Sequence, residues 1–373
     1  MAGIYIHIPF CRKACHYCNF HFSTSVKQTD EMVYAICKEA LLQRNYINET
    51  IDTIYFGGGT PSLLSGENLK AILDKVQELF SIDANAEITL EANPDDINAL
   101  KLQEWKTVGI NRLSIGVQSF FEEDLQWMNR AHNANQAIQS IQMAQENGFT
   151  NITIDLIYGT PTLSDTKWQQ NFETAVSLNV PHISCYALTV EPKTALEKMI
   201  TQHKIANVDA ATQSRQFELL MQWTEAAGYE HYEISNFAKP GHRSRHNSSY
   251  WQGKQYLGLG PSAHSFDGTS RQWNVANNAL YLKSIEQNIV PFEKEILTTT
   301  QQLNEYIMTS LRTMEGLSLQ FIIAKWGADA VYKIKLASKK YLKEEMMFEK
   351  DQQFILTRKG KLFADGIAAD LFN

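Results

Sequence analysis

Three of the chain's five cysteines lie in one short stretch, Cys11-Arg12-Lys13-Ala14-Cys15-His16-Tyr17-Cys18-Asn19-Phe20. This stretch comes just after an apolar run at residues 4–8. Three thiolates at this spacing are suited to one inorganic centre, and a cubane iron–sulfur cluster or a tetrahedral zinc ion takes four ligands. A cluster held by Cys11, Cys15 and Cys18 keeps one iron open. The stretch therefore predicts a metal site at which a further ligand can bind.

A structural zinc ion is the alternative for this stretch, with His7, His16 or His21 as the fourth ligand. The remaining cysteines, Cys37 and Cys185, are too few for a disulfide framework in a chain of 373 residues. We therefore expect reduced cysteines, and we favour the cluster over zinc.

The composition is that of a globular protein, with 44% hydrophobic and 20% charged residues. A formal net charge of −7 at pH 7 argues against nucleic acid as a partner, because phosphate contacts need a basic face. The first residues lack the basic and apolar regions of a signal peptide, and no apolar stretch is long enough to span a bilayer. We expect a cytoplasmic protein without an integral membrane segment.

Short apolar runs alternate with helical patterns over the first two-thirds of the chain, which predicts an α/β fold. The predicted strands cover residues 4–8, 53–56, 87–91, 112–117, 152–157 and 183–188. Six such βα units imply a parallel sheet with right-handed crossovers, either flat or closed into a barrel.

Residues of unusual chemistry lie where five of these strands end. The three cysteines follow the first strand, a glycine run at 57–59 follows the second, and Glu91, Gln118 and Asp155 lie at the ends of the next three. Parallel α/β folds build their sites at the carboxyl ends of the strands. We therefore expect these residues to share one rim. Taken singly, each has a structural alternative: a tight turn, a helix cap or a hydrogen-bonded core residue.

The C-x3-C-x2-C spacing, with Tyr17 before the last cysteine, resembles the radical S-adenosylmethionine (SAM) superfamily. The resemblance implies a partial (β/α)6 barrel and a [4Fe–4S] cluster on Cys11, Cys15 and Cys18. It further implies SAM at the open iron and a reductant for the cluster. By the same resemblance, the SAM pocket is lined by Tyr5, Gly58, Gly59, Thr60, Glu91, Gln118, Arg130, Asp155 and Ala187. Arg130 is suited to the SAM carboxylate, although an arginine alone is more often a surface ion-pair partner.

A polar, glycine-containing segment at residues 241–251 is predicted to be a flexible loop. Its His246-Asn247-Ser248-Ser249-Tyr250-Trp251 matches the H-N-x-x-Y-W motif of the HemW-type haem chaperones within the superfamily. The resemblance implies haem binding by His246, Asn247, Tyr250 and Trp251, because imidazole ligates haem iron and aromatic rings pack on a macrocycle. From the residues alone, a folded Ω-loop without a ligand is the alternative.

We predict three parts of the chain. Residues 1–240 form the barrel with the Fe–S and SAM site, and residues 241–297 form the haem-motif loop and a connecting segment. Residues 298–373 form a C-terminal winged-helix-like α+β domain that covers the open end of the barrel. Such domains often bind DNA, but neighbouring glutamates favour a solvated face for its lysines, which are Lys333, Lys335, Lys339, Lys340 and Lys343.

Two functions compete within this resemblance. Oxygen-independent coproporphyrinogen III oxidase, the enzyme alternative, carries a fourth cysteine where this chain has Phe20. It also has an amino-terminal extension that this chain is expected to lack. Both differences favour a haem chaperone, which binds haem as cargo and transfers it to an acceptor protein of unknown identity. Whether SAM is cleaved is left open.

Overall fold

The computed structural model describes residues 1–372, and its first six strands are parallel and pair in sequence order. The predicted strands all lie within them, except that the sixth ends one residue earlier than predicted. The six observed strands are β1 (Ala2–Ile8), β2 (Ile51–Gly58), β3 (Ile82–Ala92), β4 (Arg112–Gln118), β5 (Ile152–Tyr158) and β6 (His182–Ala187).

Helices connect these strands and cover one face of the sheet. In the second of them, Ser65 caps the first turn by accepting a hydrogen bond from the Asn68 backbone N–H. Its buried side chains recur three and four residues apart, the spacing of a helix with one apolar face. The helices are α1 (Thr29–Leu42), α2 (Gly66–Leu79), α3 (Ala99–Thr107), α4 (Glu122–Trp127), α5 (Ala134–Glu146), α6 (Asp165–Ser177), α7 (Ala195–Thr201) and α8 (Ala210–Ala226).

The two faces of the strands differ in polarity. One set of alternate residues is apolar and belongs to the main hydrophobic core, for example Ile4, Ile54 and Leu113. The other set is polar and buried, and includes Thr53, Glu87, Arg112, Ser114, Thr153, His182 and Ser184. Because side chains alternate across a strand, the inner face of the sheet is a polar surface buried within the protein.

The sheet extends beyond the six predicted strands at both edges. A hairpin of β7 (Glu230–Glu233) and β8 (Asn236–Ala238) continues from β6. On the other side, β9 (Tyr256–Leu259) pairs in parallel with β1. Three antiparallel strands follow it, namely β10 (His264–Phe266), β11 (Ser270–Asn274) and β12 (Phe292–Ile296). The complete sheet has 12 strands, and residues 241–297 contribute four of them.

The segment predicted as a flexible loop is instead a helix, α9 (Arg245–Trp251), and α10 (Asn278–Glu286) follows later. The reason is tertiary. The carboxylate of Glu87 in β3 accepts hydrogen bonds from the backbone N–H groups of Arg245 and His246. Ser244 caps the same turn by accepting from the Asn247 backbone N–H.

The C-terminal residues form a module with its own hydrophobic core and a small sheet of order β13-β15-β14. This confirms the winged-helix-like α+β prediction. The module's last helical segment is divided into two helices at Leu362 and Phe363. The elements are α11 (Thr299–Leu311), β13 (Leu317–Ser318), α12 (Leu319–Trp326), α13 (Ala328–Lys343), β14 (Met347–Lys350), β15 (Gln353–Leu356), α14 (Arg358–Lys361) and α15 (Ala364–Asp370).

This module contacts both edges of the main sheet. Glu305 of α11 forms an ion pair with Arg271 of β11 at 2.9 Å. Just after α11, Thr313 pairs with Glu233 of β7, and the Arg312 guanidinium lies over the Trp251 ring at 5.2 Å. No helix within residues 1–372 is long and apolar enough to cross a membrane.

Candidate functional site

A cavity of about 490 Å³ lies at the carboxyl ends of the parallel strands. Cys11, Cys15 and Cys18 all line it. Eight of the nine residues predicted for the SAM pocket line it as well, namely Gly58, Gly59, Thr60, Glu91, Gln118, Arg130, Asp155 and Ala187. The ninth, Tyr5, lies in a neighbouring cavity. The strand ends therefore bring these residues to one rim.

The end of β2 holds the cysteine loop in place. The Gly59 backbone N–H donates to the Ile8 carbonyl at 2.8 Å, and the Thr60 backbone N–H donates to the Phe10 carbonyl at 2.6 Å. The Thr60 hydroxyl donates to the Cys11 thiol at 3.5 Å. A Cβ on Gly59 would lie 2.5 Å from the Phe10 carbonyl oxygen. Glycine is therefore required for the backbone of the two loops to approach this closely.

Arg130 places a positive charge beside the thiols. Its guanidinium donates to the Cys15 sulfur at 3.2 Å, to the Asn93 side-chain oxygen at 2.8 Å and to the Gly116 carbonyl at 2.8 Å. No carboxylate within residues 1–372 forms an ion pair with it. The arginine is thus held by neutral partners and by sulfur, so its charge is available to an anionic ligand in the cavity.

Burial raises the pKa of the Cys11 thiol to about 11 and raises the pKa of Cys18. Thiolates at these positions therefore need the positive charge of a metal centre. Among residues 1–372, no three His, Cys, Asp or Glu side chains lie close enough together to hold a single metal ion. In a cubane cluster each cysteine ligates a different iron, so its ligands are spread more widely than those of one ion. The donor set fits a cluster.

The histidines proposed for a zinc site have other partners. His7 hydrogen-bonds through its two ring nitrogens to the Tyr5 hydroxyl at 3.3 Å and the His21 carbonyl at 2.9 Å. His16 Nδ1 lies 2.9 Å from the Trp127 carbonyl, and His21 Nε2 lies 2.7 Å from Asn278 Oδ1. These contacts argue against the zinc alternative.

Two buried carboxyl groups face the cavity. Burial raises the pKa of Glu91 to about 8, although the Tyr55 hydroxyl donates to it at 2.8 Å. Burial also raises the pKa of Asp155 to about 6. Since a nearby cation favours the ionised form of a carboxyl group, both residues are suited to a positively charged ligand.

A second cavity of about 200 Å³ lies further inside the sheet and shares Glu91, Ser114, Asp155 and Tyr186 with the first. Tyr5 lines this cavity, where its ring stacks on Tyr55 with centroids 6.1 Å apart. Tyr5 is therefore connected to the larger cavity through the pair formed by Tyr55 and Glu91.

The four residues predicted for haem lie on α9, and they are divided between two environments. His246, Asn247 and Tyr250 line the second cavity, whereas Trp251 lies beneath Arg312. His246 is only 2% exposed. Its Nδ1 lies 2.8 Å from the Thr53 hydroxyl and its Nε2 lies 2.8 Å from the Tyr250 hydroxyl, so both ring nitrogens have partners.

The residues that line the larger cavity but were not predicted include Asn93, Gly116 and Tyr186. Asn93 lies two residues after Glu91, and Gly116 lies two residues before Gln118. Since side chains alternate along a strand, a period of two from the predicted residues would have found both. Tyr186 comes one residue before Ala187 in β6, and no comparable signal marks it.

The radical SAM superfamily matches residues 5–175. The heme chaperone HemW of Bacillus subtilis is 34% identical over 98% of this chain and 98% of its own length. The corresponding protein of Mycobacterium tuberculosis H37Rv is 33% identical over 99% of this chain and 94% of its own. This chain belongs to the HemW family. Membership of the radical SAM superfamily implies a [4Fe–4S] cluster and SAM.

The HemW fold is similar to that of a solved structure across the whole chain. Coproporphyrinogen III oxidase (HemN) from Escherichia coli superposes with a TM-score of 0.87, covering 100% of this chain and 90% of the oxidase. The two sequences are only 22% identical, so this similarity shows the fold alone. It confirms the predicted radical SAM α/β fold for this HemW member.

Proposed function

We propose that this protein is a haem chaperone, which binds haem on a scaffold carrying a [4Fe–4S] cluster and transfers it to an acceptor protein. The observation that carries the proposal is the end-to-end match, at 34% identity, to a protein named heme chaperone HemW. The H-N-x-x-Y-W sequence at 246–251 supports it. We further propose that the protein acts in the cytoplasm with a reductant for its cluster.

In this proposal Cys11, Cys15 and Cys18 hold the cluster. When bound, the cluster supplies an open iron for SAM and an electron. Arg130 binds the SAM carboxylate, because its guanidinium lies beside Cys15 and has no carboxylate of its own within residues 1–372. Glu91 and Asp155 face the cationic part of SAM, where burial alone would keep Glu91 largely protonated at neutral pH.

The other proposed SAM residues shape the pocket. Gly58, Gly59 and Thr60 let the backbone approach the amino-acid end of SAM, as their position beside the cysteine loop suggests. Gln118 and Ala187 complete the lining, and Tyr5 supports Glu91 through Tyr55. A role in haem binding for His246, Asn247, Tyr250 and Trp251 remains a prediction.

Anaerobically purified protein tests the proposal. We expect iron and acid-labile sulfide in the ratio of a [4Fe–4S] cluster, and a Soret band that saturates when haem is added. The Cys11→Ala, Cys15→Ala, Cys18→Ala triple variant is the control for the cluster. Haem-loaded protein should lose its haem to apomyoglobin, an acceptor whose holo form has a known spectrum.

The alternative enzyme activity gives a different result in the same preparation. An oxidase would convert coproporphyrinogen III to protoporphyrinogen when SAM and a reductant are present. Formation of that product would overturn the chaperone proposal, as would a wild-type protein that binds no haem. Phe20, which is 67% exposed at the cavity rim, lies where the oxidases carry their fourth cysteine.

A further inference from the structure

A protein that holds haem through an imidazole needs a histidine with a free ring nitrogen. The chain has 10 histidines. Three of them, His7, His231 and His246, hydrogen-bond through both ring nitrogens. Four more hydrogen-bond through one ring nitrogen and, in the described part of the chain, keep the other free, namely His16, His21, His132 and His182. Within residues 1–372, the ring nitrogens of the other three, His203, His242 and His264, have no hydrogen-bond partner.

His264 differs from the other two because it lies against an aromatic ring. Its imidazole stacks on the indole of Trp273 in the neighbouring strand β11, with centroids 6.2 Å apart and ring planes inclined by 28°. His264 itself is exposed. No aromatic ring within residues 1–372 stacks on His203 or His242. An exposed imidazole beside a large flat ring is suited to an iron porphyrin, since the imidazole can ligate iron and the indole can pack on the macrocycle.

Strand register places His264 on the same row of the sheet as the second cavity. Tyr5 of β1 pairs with Gly258 of β9. A Cβ on Gly258 would lie 2.1 Å from the His264 carbonyl oxygen, and His264 pairs with Trp273. The residue between Tyr5 and His264 on this row is therefore a glycine. The His264 backbone occupies the space that a side chain at Gly258 would need, so β10 packs directly against β9 beside Tyr5.

The row also lies near the cysteine loop. His7, two residues after Tyr5 in β1, donates through Nε2 to the carbonyl of His21, just after the cysteine stretch. Partial desolvation and the nearby Arg271 lower the pKa of His264, so its imidazole keeps a free lone pair at neutral pH. A haem iron bound here would lie on the side of the sheet that carries the predicted SAM site.

We propose that His264 is the axial ligand of haem and that Trp273 packs against the porphyrin. This inference rests on the proposed haem-binding function and names the residue that carries it. In this assignment His246 is a positioning residue, which holds Thr53 and Tyr250 on the inner face of the sheet without contacting the iron.

Haem titration of three variants, followed by the Soret band, tests the assignment. We expect His264→Ala to shift the Soret maximum and to weaken haem binding by about tenfold or more, the loss of one ligand bond. Added imidazole should restore the wild-type spectrum, which a merely structural role for His264 would not produce. The matched control is His203→Ala, which removes another histidine without a hydrogen bond and should leave the titration unchanged.

His246→Phe keeps an aromatic ring in place but removes both ring nitrogens. With folding checked by circular dichroism, a Soret maximum that shifts in this variant and not in His264→Ala would assign the axial ligand to His246. His264→Met offers a second check, because a thioether ligand gives a different spectrum from imidazole and from no ligand.

The outcomes separate the two proposals. If wild-type protein binds no haem, the proposed function fails and this assignment fails with it. If wild-type protein binds haem, and His264→Ala keeps both its affinity and its Soret maximum, the assignment is overturned while the function stands. A loss confined to His246→Phe would transfer the axial role to His246.

Discussion

At the scale of single residues, the site depends on charged groups that are buried without a full complement of partners. Arg130 contacts sulfur, an amide oxygen and a backbone carbonyl. Glu91 has the Tyr55 hydroxyl as its side-chain hydrogen-bond partner. An uncompensated buried charge is costly in a protein core, so such groups are typical of ligand sites.

Glu91→Gln should remove a pH dependence from SAM binding. Burial raises the pKa of Glu91 to about 8, so the group is mainly neutral at pH 7 in the empty cavity. A cationic ligand favours the carboxylate, and binding therefore releases a proton. The part of the affinity due to Glu91 should rise by up to about tenfold per pH unit below pH 8 and level off above it.

The measurement is the SAM dissociation constant of the cluster-loaded protein over a pH series, in wild type and variant. Asp155→Asn is the matched control. Because the pKa of Asp155 is raised only to about 6, this change should alter the profile at lower pH. A Glu91→Gln profile with the wild-type slope between about pH 7 and pH 8 would contradict the prediction.

At the scale of elements, the site is held by contacts between neighbouring strand ends. The clearest is the backbone contact of Gly59 and Thr60 with Ile8 and Phe10. It links the end of β2 to the cysteine loop after β1, so the position of the thiols depends on both elements.

Gly59→Ala should displace the cysteine loop. Its Cβ would lie within 2.8 Å of three backbone atoms of Ile8 and Phe10, which have no side-chain freedom to move away. We expect fewer iron atoms per chain after anaerobic reconstitution and a loss of stability of about 1–3 kcal/mol. Gly366→Ala is the control, since a Cβ on Gly366, within α15, meets nothing within 4 Å. Equal iron content in both variants would rule out the steric argument.

A second contact between elements involves Glu39 of α1. Its carboxylate accepts hydrogen bonds from Gln43, Asn274, the Tyr281 hydroxyl and the Gly260 backbone. These partners lie just after α1, in β11, in α10 and in the turn after β9. Glu39 thus joins the helical layer to the added strands.

Glu39→Gln should destabilise the protein by about 1–3 kcal/mol, because the amide N–H₂ would face groups that are themselves donors. Burial raises the pKa of Glu39 to about 7 in the folded protein, above its value in the unfolded chain. The folded state thus binds the proton more tightly, and the stability from this group is lost as pH rises from about 4.5 through 7.

Urea denaturation at a series of pH values measures both effects. The variant should show a smaller decline in the free energy of unfolding over this range than wild type. Glu31→Gln, an exposed change on the same helix, should differ from wild type by less than about 0.5 kcal/mol. If Glu39→Gln unfolds with the same pH dependence as wild type, Glu39 is not the group that causes the decline.

At the scale of the whole molecule, the C-terminal module joins the two edges of the sheet. Its helix α11 contacts β11 through Glu305, and the residues just after it contact β7 and α9. The division into parts at residue 298 remains a prediction, and the separate hydrophobic core of the module supports it.

Arg312→Ala should weaken the attachment of this module. The guanidinium lies over Trp251 and forms an ion pair with Asp365, and its side chain is mostly buried. We expect a fall in stability of about 1–3 kcal/mol and earlier proteolytic release of the C-terminal residues. The control is Arg358→Ala. Arg358 and its partner Glu225 are both exposed, and an exposed ion pair contributes little to the stability of a protein. Equal proteolysis of the two variants would show that Arg312 is not the attachment point.

Much of the fold and site follows from local pattern. The six parallel strands form as predicted, and the three cysteines and eight of the nine residues predicted for the SAM pocket line one cavity. Alternation of burial and the placement of sites at strand ends are local rules, so a local pattern can predict both. The alternation of side chains along a strand could also have predicted Asn93 and Gly116.

The sequence alone determined the alternation of strands and helices. It also determined the three-cysteine motif and its position at the carboxyl ends of the parallel strands. The tertiary structure decided the rest. Residues 245–251 became a helix because Glu87, far away in the chain, accepts hydrogen bonds from its first turn. His264 reached the row of Tyr5 because β9 pairs with β1 across about 250 residues of sequence. Both outcomes depend on contacts distant in sequence, and a local pattern carries no information about them.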